Sequence, residues 1–191
     1  MPHPFLLIVS GLPCAGKTSI AERLAAELNL PLMTKDGIKE QLFNSLGWKD
    51  REWSRQLSRA SVELLLYFTE TQLSAGISFI IECNFQPDLA APRLRAMQVK
   101  YAVVLFQIFC RADTETLYRR FEARTGTRHP GHADEQYLAE FHDLLDRTQQ
   151  KALDLAGPVM VVDTTDFQKV DFSGLVEAVR DVQRAAQGSL P

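Results

Sequence analysis

Near the amino terminus, Gly11-Leu12-Pro13-Cys14-Ala15-Gly16-Lys17-Thr18 sets two glycines, a lysine and a hydroxyl at the spacing G-x-x-x-x-G-K-[ST]. The glycines let backbone turn tightly around an anion with no side chain in the way. Successive N–H groups at the start of a following helix can then converge on a phosphate, and the helix dipole favours negative charge there. Lys17 can reach the terminal phosphates of a nucleotide, and the Thr18 hydroxyl can ligate Mg²⁺. The expected phosphate-site residues are Gly11, Pro13, Cys14, Ala15, Gly16, Lys17, Thr18 and Ser19. At Cys14 partial positive charge could lower the thiol pKa, although a small filler is the plainer role.

A phosphate cradle does chemistry only if something else takes the phosphoryl group. Asp36 and Glu82 each follow a short apolar stretch, and ligands of an open α/β sheet gather beyond the carboxyl ends of its strands. Asp36 could accept the proton of an acceptor hydroxyl; it also stands where a helix N-cap belongs. Glu82 could hold Mg²⁺ through water or touch the acceptor, or simply close its strand. Asn84 could bond substrate or order its loop, and Lys39 lies close to Asp36. Between residues 111 and 133, Arg120 and Arg124 are four apart and share a helix face, while Arg128 lies in the next loop. Arginines on a mobile lid can neutralise charge developing on a transferred phosphoryl group and exclude water. Arg119 is expected to be structural or to lie on the opposite face. His129 and His132 flank Pro130-Gly131, with no cysteine or carboxylate cluster to complete a metal site, so loop ordering or substrate contact is expected. Trp48 and Trp53 follow Asp36, where an acceptor-binding subdomain could lie, and core packing is the expected role of each. Asp163-Thr164-Thr165 follows the last strand, where adenine could rest.

These residues need a scaffold, and the apolar pattern supplies one. Phe5–Val9 is a continuous apolar run, as in a strand buried on both faces. Ile20, Leu24 and Leu28 then recur at helical spacing up to Asn29 and Pro31. Leu32–Thr34 reads as a second strand, with a helix after it through Ile38, Leu42 and Phe43. A long helix is expected over much of Asp50–Ala75, with Leu57, Leu64, Leu65 and Phe68 on one stripe and Gly76 ending it. Ile77–Ile81, Tyr101–Phe109 and Val159–Val162 are the remaining strands. Helices are expected from Pro87 through Met97, from Asp113, from Tyr137 through Thr148 to Leu155, and over Leu175–Val182, with a frayed tail at Gln187–Pro191. Strands alternating with helices imply βαβ units, a mostly parallel sheet and right-handed crossovers.

Composition narrows the classes. At about 150 residues per domain, 191 residues make one domain, with the lid at about 111–133. A net charge of −3 argues against bulk electrostatic attachment to long nucleic acid or membrane. Cys14, Cys83 and Cys110 have no CxxC spacing, so neither a disulfide scaffold nor a zinc site is expected, and a reducing, cytoplasmic home is. The stretch from Met1 to Val9 lacks a basic region and a cleavage site, and no apolar run reaches the 18 or so residues of a membrane span. A GTPase would need an N/TKxD motif after a late strand; Thr34-Lys35-Asp36 lies too early, and the DxxG matches at Asp154–Gly157 and Asp171–Gly174 lie far from the third strand.

Together, Gly11–Thr18, Asp36 with Lys39, Ile80-Ile81-Glu82-Cys83-Asn84-Phe85 and Arg120…Arg124…Arg128-His129-Pro130-Gly131-His132 resemble the P-loop kinase group that includes the AAA_33-type predicted kinases, polynucleotide 5′-kinases, zeta toxins and chloramphenicol phosphotransferase. The resemblance implies an α/β P-loop NTPase fold, five parallel strands in the order 2-3-1-4-5, and a helical lid. It implies ATP and Mg²⁺, with Asp36 activating the acceptor. Those relatives often carry an arginine where Lys39 stands. The expected activity is transfer of the γ-phosphoryl group to a hydroxyl of a small molecule. A 5′-hydroxyl polynucleotide kinase and a non-catalytic nucleotide sensor are the alternatives.

Overall fold

A computed structural model describes residues 3–147, 151–186 and 188. Strand β1 (Phe5–Gly11) is buried along its whole length, as its unbroken apolar run requires. It lies between β3 (Phe79–Glu82) and β4 (Val104–Arg111), parallel to both, with Ile8 opposite Ile81 and Gln107. The outer strands β2 (Leu32–Thr34) and β5 (Val159–Asp163) complete a five-stranded parallel sheet in the order β2-β3-β1-β4-β5.

The pleat sends Phe5, Leu7 and Val9 to one face and Leu6 and Ile8 to the other, so two apolar layers form. The first is filled by α1 (Lys17–Leu28), α5 (Thr114–Arg124), α6 (Asp134–Arg147) and α7 (Phe172–Ala186), through Ile20, Phe121, Phe141 and Val179. The second is filled by α3 (Arg51–Ser74) and α4 (Pro87–Lys100), through Leu65, Leu73 and Leu94. Each fully buried large apolar side chain stabilises by about 1.5–3 kcal/mol. The helix α2 (Lys35–Leu46) packs on α3 beyond the sheet, with Phe43 fully buried. No helix among the described residues is long and apolar enough to cross a membrane.

The expected order of elements holds, while several boundaries shift. Strand β3 begins at Phe79 rather than Ile77, and β4 at Val104 rather than Tyr101; each extends to the charged residue at its carboxyl end, Glu82 or Arg111. Leu64 leaves the stripe of α3 and is exposed; the buried face instead includes Ser61 and Thr69, whose hydroxyls bond to Leu57 and Leu65 carbonyls of their own helix. Helix α6 does not reach Leu155. Leu153 is pinned to the sheet by two hydrogen bonds of 3.1 Å with the buried Gln107 amide, and this tie needs extended chain. The last helix is longer than expected, Phe172–Ala186. Thr148 and the expected fraying across Gln187–Pro191 lie outside the described residues, except for Gly188, and so does Met1.

Candidate active site

The loop between β1 and α1 is shaped by close approach. Gly11 has φ +140°, and a Cβ there would lie 2.1 Å from the Cys110 carbonyl oxygen, so only glycine lets the strand pass. Gly16 has φ +71° and presses against the Phe167 ring, which a Cβ would meet at 3.0 Å. Ala15 is fully buried behind the loop. The Thr164 hydroxyl, buried, sits 3.1 Å from the Ala15 carbonyl and 3.0 Å from that of Arg111 and donates to one of them. Arg120 donates to the Thr164 carbonyl at 2.6 Å and reaches the Cys14 carbonyl at 3.4 Å. The loop is therefore tied from behind to the end of β5, and Asp163-Thr164-Thr165 forms part of that brace.

In front of the loop, Lys17 Nζ donates to the Leu12 carbonyl at 2.9 Å and stands 3.8 Å from Glu82 Oε1. The Thr18 hydroxyl donates to Glu82 Oε2 at 3.2 Å. Glu82 is buried at the end of β3, and burial raises its pKa against the pull of Lys17. A hydroxyl and a carboxylate held together beside a lysine are a donor set suited to a phosphate-bound hard cation. Cys14 does not become the activated thiol that its place suggested: burial raises its pKa more than Arg124 and Lys17 lower it.

A cleft of about 340 Å³ opens on this loop. Pro13, Cys14, Gly16, Lys17, Thr18 and Ser19 form one wall; Lys35, Asp36 and Lys39 of α2, Arg51 and Ser58 of α3, and Tyr137 line it further. Glu82 and Asn84 from the carboxyl end of β3 reach it, as do Arg120, Arg124, Arg128, His132 and Asp134. Seven cations thus face three carboxylates, which suits a polyanion despite the acidic chain as a whole. Asn84 is exposed at the rim.

Asp36 is not the N-cap of α2. Thr34 fills that role, its hydroxyl accepting from Gly37 N at 3.0 Å, and Asp36 stands in the first turn, free to face the cleft. Its carboxylate accepts from Lys35 at 3.0 Å and from Arg128 at 2.6 Å. Burial pushes its pKa upward, yet Lys35 and Arg128 outweigh this and hold it well below the usual carboxylate range. Lys39 is buried and donates to Ser54 Oγ at 2.9 Å; burial and the neighbouring Lys35 bring its pKa down to about 7. Arg124 Nε and Arg128 each lie 3.6 Å from Asp134. Arg119 points outward to solvent.

His132 is buried, and burial and the neighbouring Arg128 lower its pKa to about 3, so the ring is neutral; its Nε2 lies 2.8 Å from a Glu40 carboxylate oxygen, toward which it can only donate, and 3.0 Å from the Arg128 guanidinium. His129 Nδ1 accepts from Gly131 N and its ring stacks on Phe43. Both histidines order the loop. Neither tryptophan is core: Trp48 is half-exposed, and Trp53 donates to the Gly47 carbonyl at 2.9 Å. Lys35, Arg51, Ser58, Asp134 and Tyr137 line the cleft without being among the residues expected there. Only Lys35 carried a signal, adjacency to Asp36. The others reach the cleft through tertiary packing, as where Arg51 lies over the Tyr137 ring and bonds Glu140.

The sequence model of AAA_33, described as an AAA domain, matches residues 6–148. Among solved structures, a "putative kinase" from Chloroflexus aurantiacus j-10-fl is 38% identical, with 94% of this chain and 98% of that one covered and a TM-score of 0.87. A sugar kinase from Janibacter sp. HTCC2649 shares the fold at 19% identity and a TM-score of 0.55, covering 97% of this chain and 98% of that one. No curated protein matches the chain.

Proposed function

The chain belongs to the AAA_33 family of P-loop kinase-like domains, which implies nucleotide binding, and from that premise we propose that it is an ATP-dependent kinase acting on a hydroxyl of a small molecule. The observation that carries this reading is one cleft holding both ends of such a reaction: the phosphate loop on one wall, the Asp36 carboxylate on another, and Arg124 and Arg128 between them. We take the chain as a single domain whose lid is the segment at about 111–133.

In this reading the loop amides and Lys17 bind the phosphates, and Thr18 holds Mg²⁺, with Glu82 reaching it through water. When bound, Mg²⁺ neutralises charge on the phosphate oxygens and so lowers the cost of transfer. Asp36 is a weak base while Lys35 and Arg128 hold its pKa down, so its part is to accept a hydrogen bond from the acceptor hydroxyl and aim its oxygen. Phosphoryl transfer depends mainly on such positioning and on charge stabilisation. Arg124 and Arg128 supply the charge, while Arg120 keeps the loop in place through the Thr164 and Cys14 carbonyls. Lys39 and Asn84 face the acceptor.

The test is ATP consumption and product mass across a panel of aminoglycosides, chloramphenicol, nucleosides, sugars and a labelled 5′-hydroxyl oligonucleotide. The expected result is one acceptor class whose phosphorylation disappears in both Lys17→Ala and Asp36→Asn. Tight ATP binding with no acceptor consumed would favour a sensor instead.

A further inference from the structure

The Arg128 guanidinium bonds Asp36 at 2.6 Å, the carboxylate that the proposed reaction assigns to the acceptor hydroxyl. A docked loop holds it there. Phe43 of α2 lies between two histidines of that loop, stacked on His129 with centroids 5.0 Å apart and edge-on to His132 at 5.4 Å. Gly131 lies so close that a Cβ would stand 2.7 Å from Phe43 Cγ. His132 also bonds Glu40, one helical turn beyond Asp36. The loop is thus clasped along α2. Arg128 has a second anchor, Asp134 at 3.6 Å, too far for a hydrogen bond, and Asp134 Oδ2 is buried without a hydrogen-bond partner. Its Nη2 also lies 3.0 Å from His132 Nε2 of the same loop, so the Asp36 bond is the shortest tie of the guanidinium and the clasp's own histidine stands beside it.

We propose that residues 128–132 are a self-inhibitory clasp: docked on α2, they keep Arg128 on Asp36, and a triphosphate competes for the same guanidinium, freeing Asp36 for the acceptor. The inference rests on the kinase reading for its ligand. It adds an order of events, in which the nucleotide unmasks the acceptor site and an acceptor meeting the empty protein finds Asp36 occupied. The coupling follows from exchange of one cation between two anions, so it must be reciprocal.

Binding of AMP-PNP and of ADP, each with Mg²⁺, to the full chain measures this coupling by calorimetry without any acceptor. Asp36→Asn removes the competitor for Arg128 and should tighten AMP-PNP about fivefold or more, the lower range of such couplings. ADP, with no γ-phosphate, should change far less. In an Arg128→Met background the same Asp36→Asn substitution should leave AMP-PNP affinity unchanged. Gly131→Ala, which drives a methyl into Phe43, should tighten AMP-PNP as Asp36→Asn does, and Phe43→Leu added to it should return the wild-type value. Equal tightening with and without Arg128 would mean simple charge repulsion by Asp36 and would overturn the clasp, as would no tightening at all. Should Gly131→Ala fail to fold, the Asp36–Arg128 cycle decides alone. Failure of the kinase reading looks different: wild-type protein that binds neither nucleotide removes both ideas, whereas nucleotide coupling without phosphoryl transfer removes only the kinase.

Discussion

The two walls of the cleft are held in different ways. On the phosphate side, backbone does the positioning: Gly11 threads past Cys110 between paired strands, Gly16 is pressed by Phe167, and the loop carbonyls are tied to Thr164 and Arg120. On the acceptor side, charged side chains hold one another: Asp36 with Lys35 and Arg128, Asp134 with Arg124 and Arg128, Glu140 with Arg51 and Arg55. Strand pairing and close backbone contact leave one arrangement, so the first wall is preformed. Ion pairs at a solvent-facing cleft exchange partners readily, so the second wall can rearrange around what enters. A site that must grip the same triphosphate every time, yet admit and release an acceptor, needs both kinds of wall.

If that contrast holds, the largest response to substitution belongs to the backbone of the phosphate side. Gly11→Ala sets a methyl 2.1 Å from the Cys110 oxygen at φ +140°, and neither central strand can yield without losing its pairing. We expect a loss of about 4 kcal/mol or more, among the largest single-residue effects, read as a fall in the denaturation midpoint. A midpoint within 1 kcal/mol of wild type would show that this wall bends. Next comes Lys17→Ala, which leaves the backbone cradle intact and removes one cation. Turnover should fall on the order of 10²–10³-fold, as for loss of a donor to a developing anion, with stability falling by about 1–3 kcal/mol, because the buried Glu82 loses its cationic neighbour as Leu12 loses its hydrogen bond.

The same contrast explains what could be read from sequence. The preformed wall is local: its strand, glycines, lysine and hydroxyl are contiguous from Phe5 to Thr18, so spacing and apolar pattern expose it. Glu82 and Asp36 were visible because strand ends recur at predictable places. The role of Thr34 as the cap of α2 was legible in principle from its residue type, but the acidic Asp36 two positions on drew that assignment. The acceptor wall assembles residues up to about 90 positions apart, such as Arg51 with Glu140 and Glu40 with His132. No periodicity encodes those pairings. Arg120 shows the limit from the other direction: its helix face was predicted correctly, yet its guanidinium serves the Thr164 and Cys14 carbonyls because the end of β5 lies there.

The smallest expected effect is a pH response, and its sign separates the walls. His132 has its pKa lowered to about 3 by burial, against about 6.5 in an unfolded chain. Between those values the unfolded state binds the extra proton, so folding stability must fall as pH drops below 6.5. Glu82 works oppositely: burial raises its pKa, so the folded state holds its proton at higher pH than the unfolded chain does, and acid favours the fold there. Asp36, with its pKa lowered, adds an acid loss only below about pH 4. Melting temperature measured from pH 6.5 to 4.5 therefore isolates the two walls. Wild type should lose about 2 kcal/mol across that range through His132, less whatever Glu82 returns. His132→Gln, which keeps a neutral donor for Glu40, should lose the acid fall and leave a flat or reversed slope. If the substituted protein keeps the wild-type slope, the proton enters elsewhere, and the clasp side is not the pH-sensitive wall.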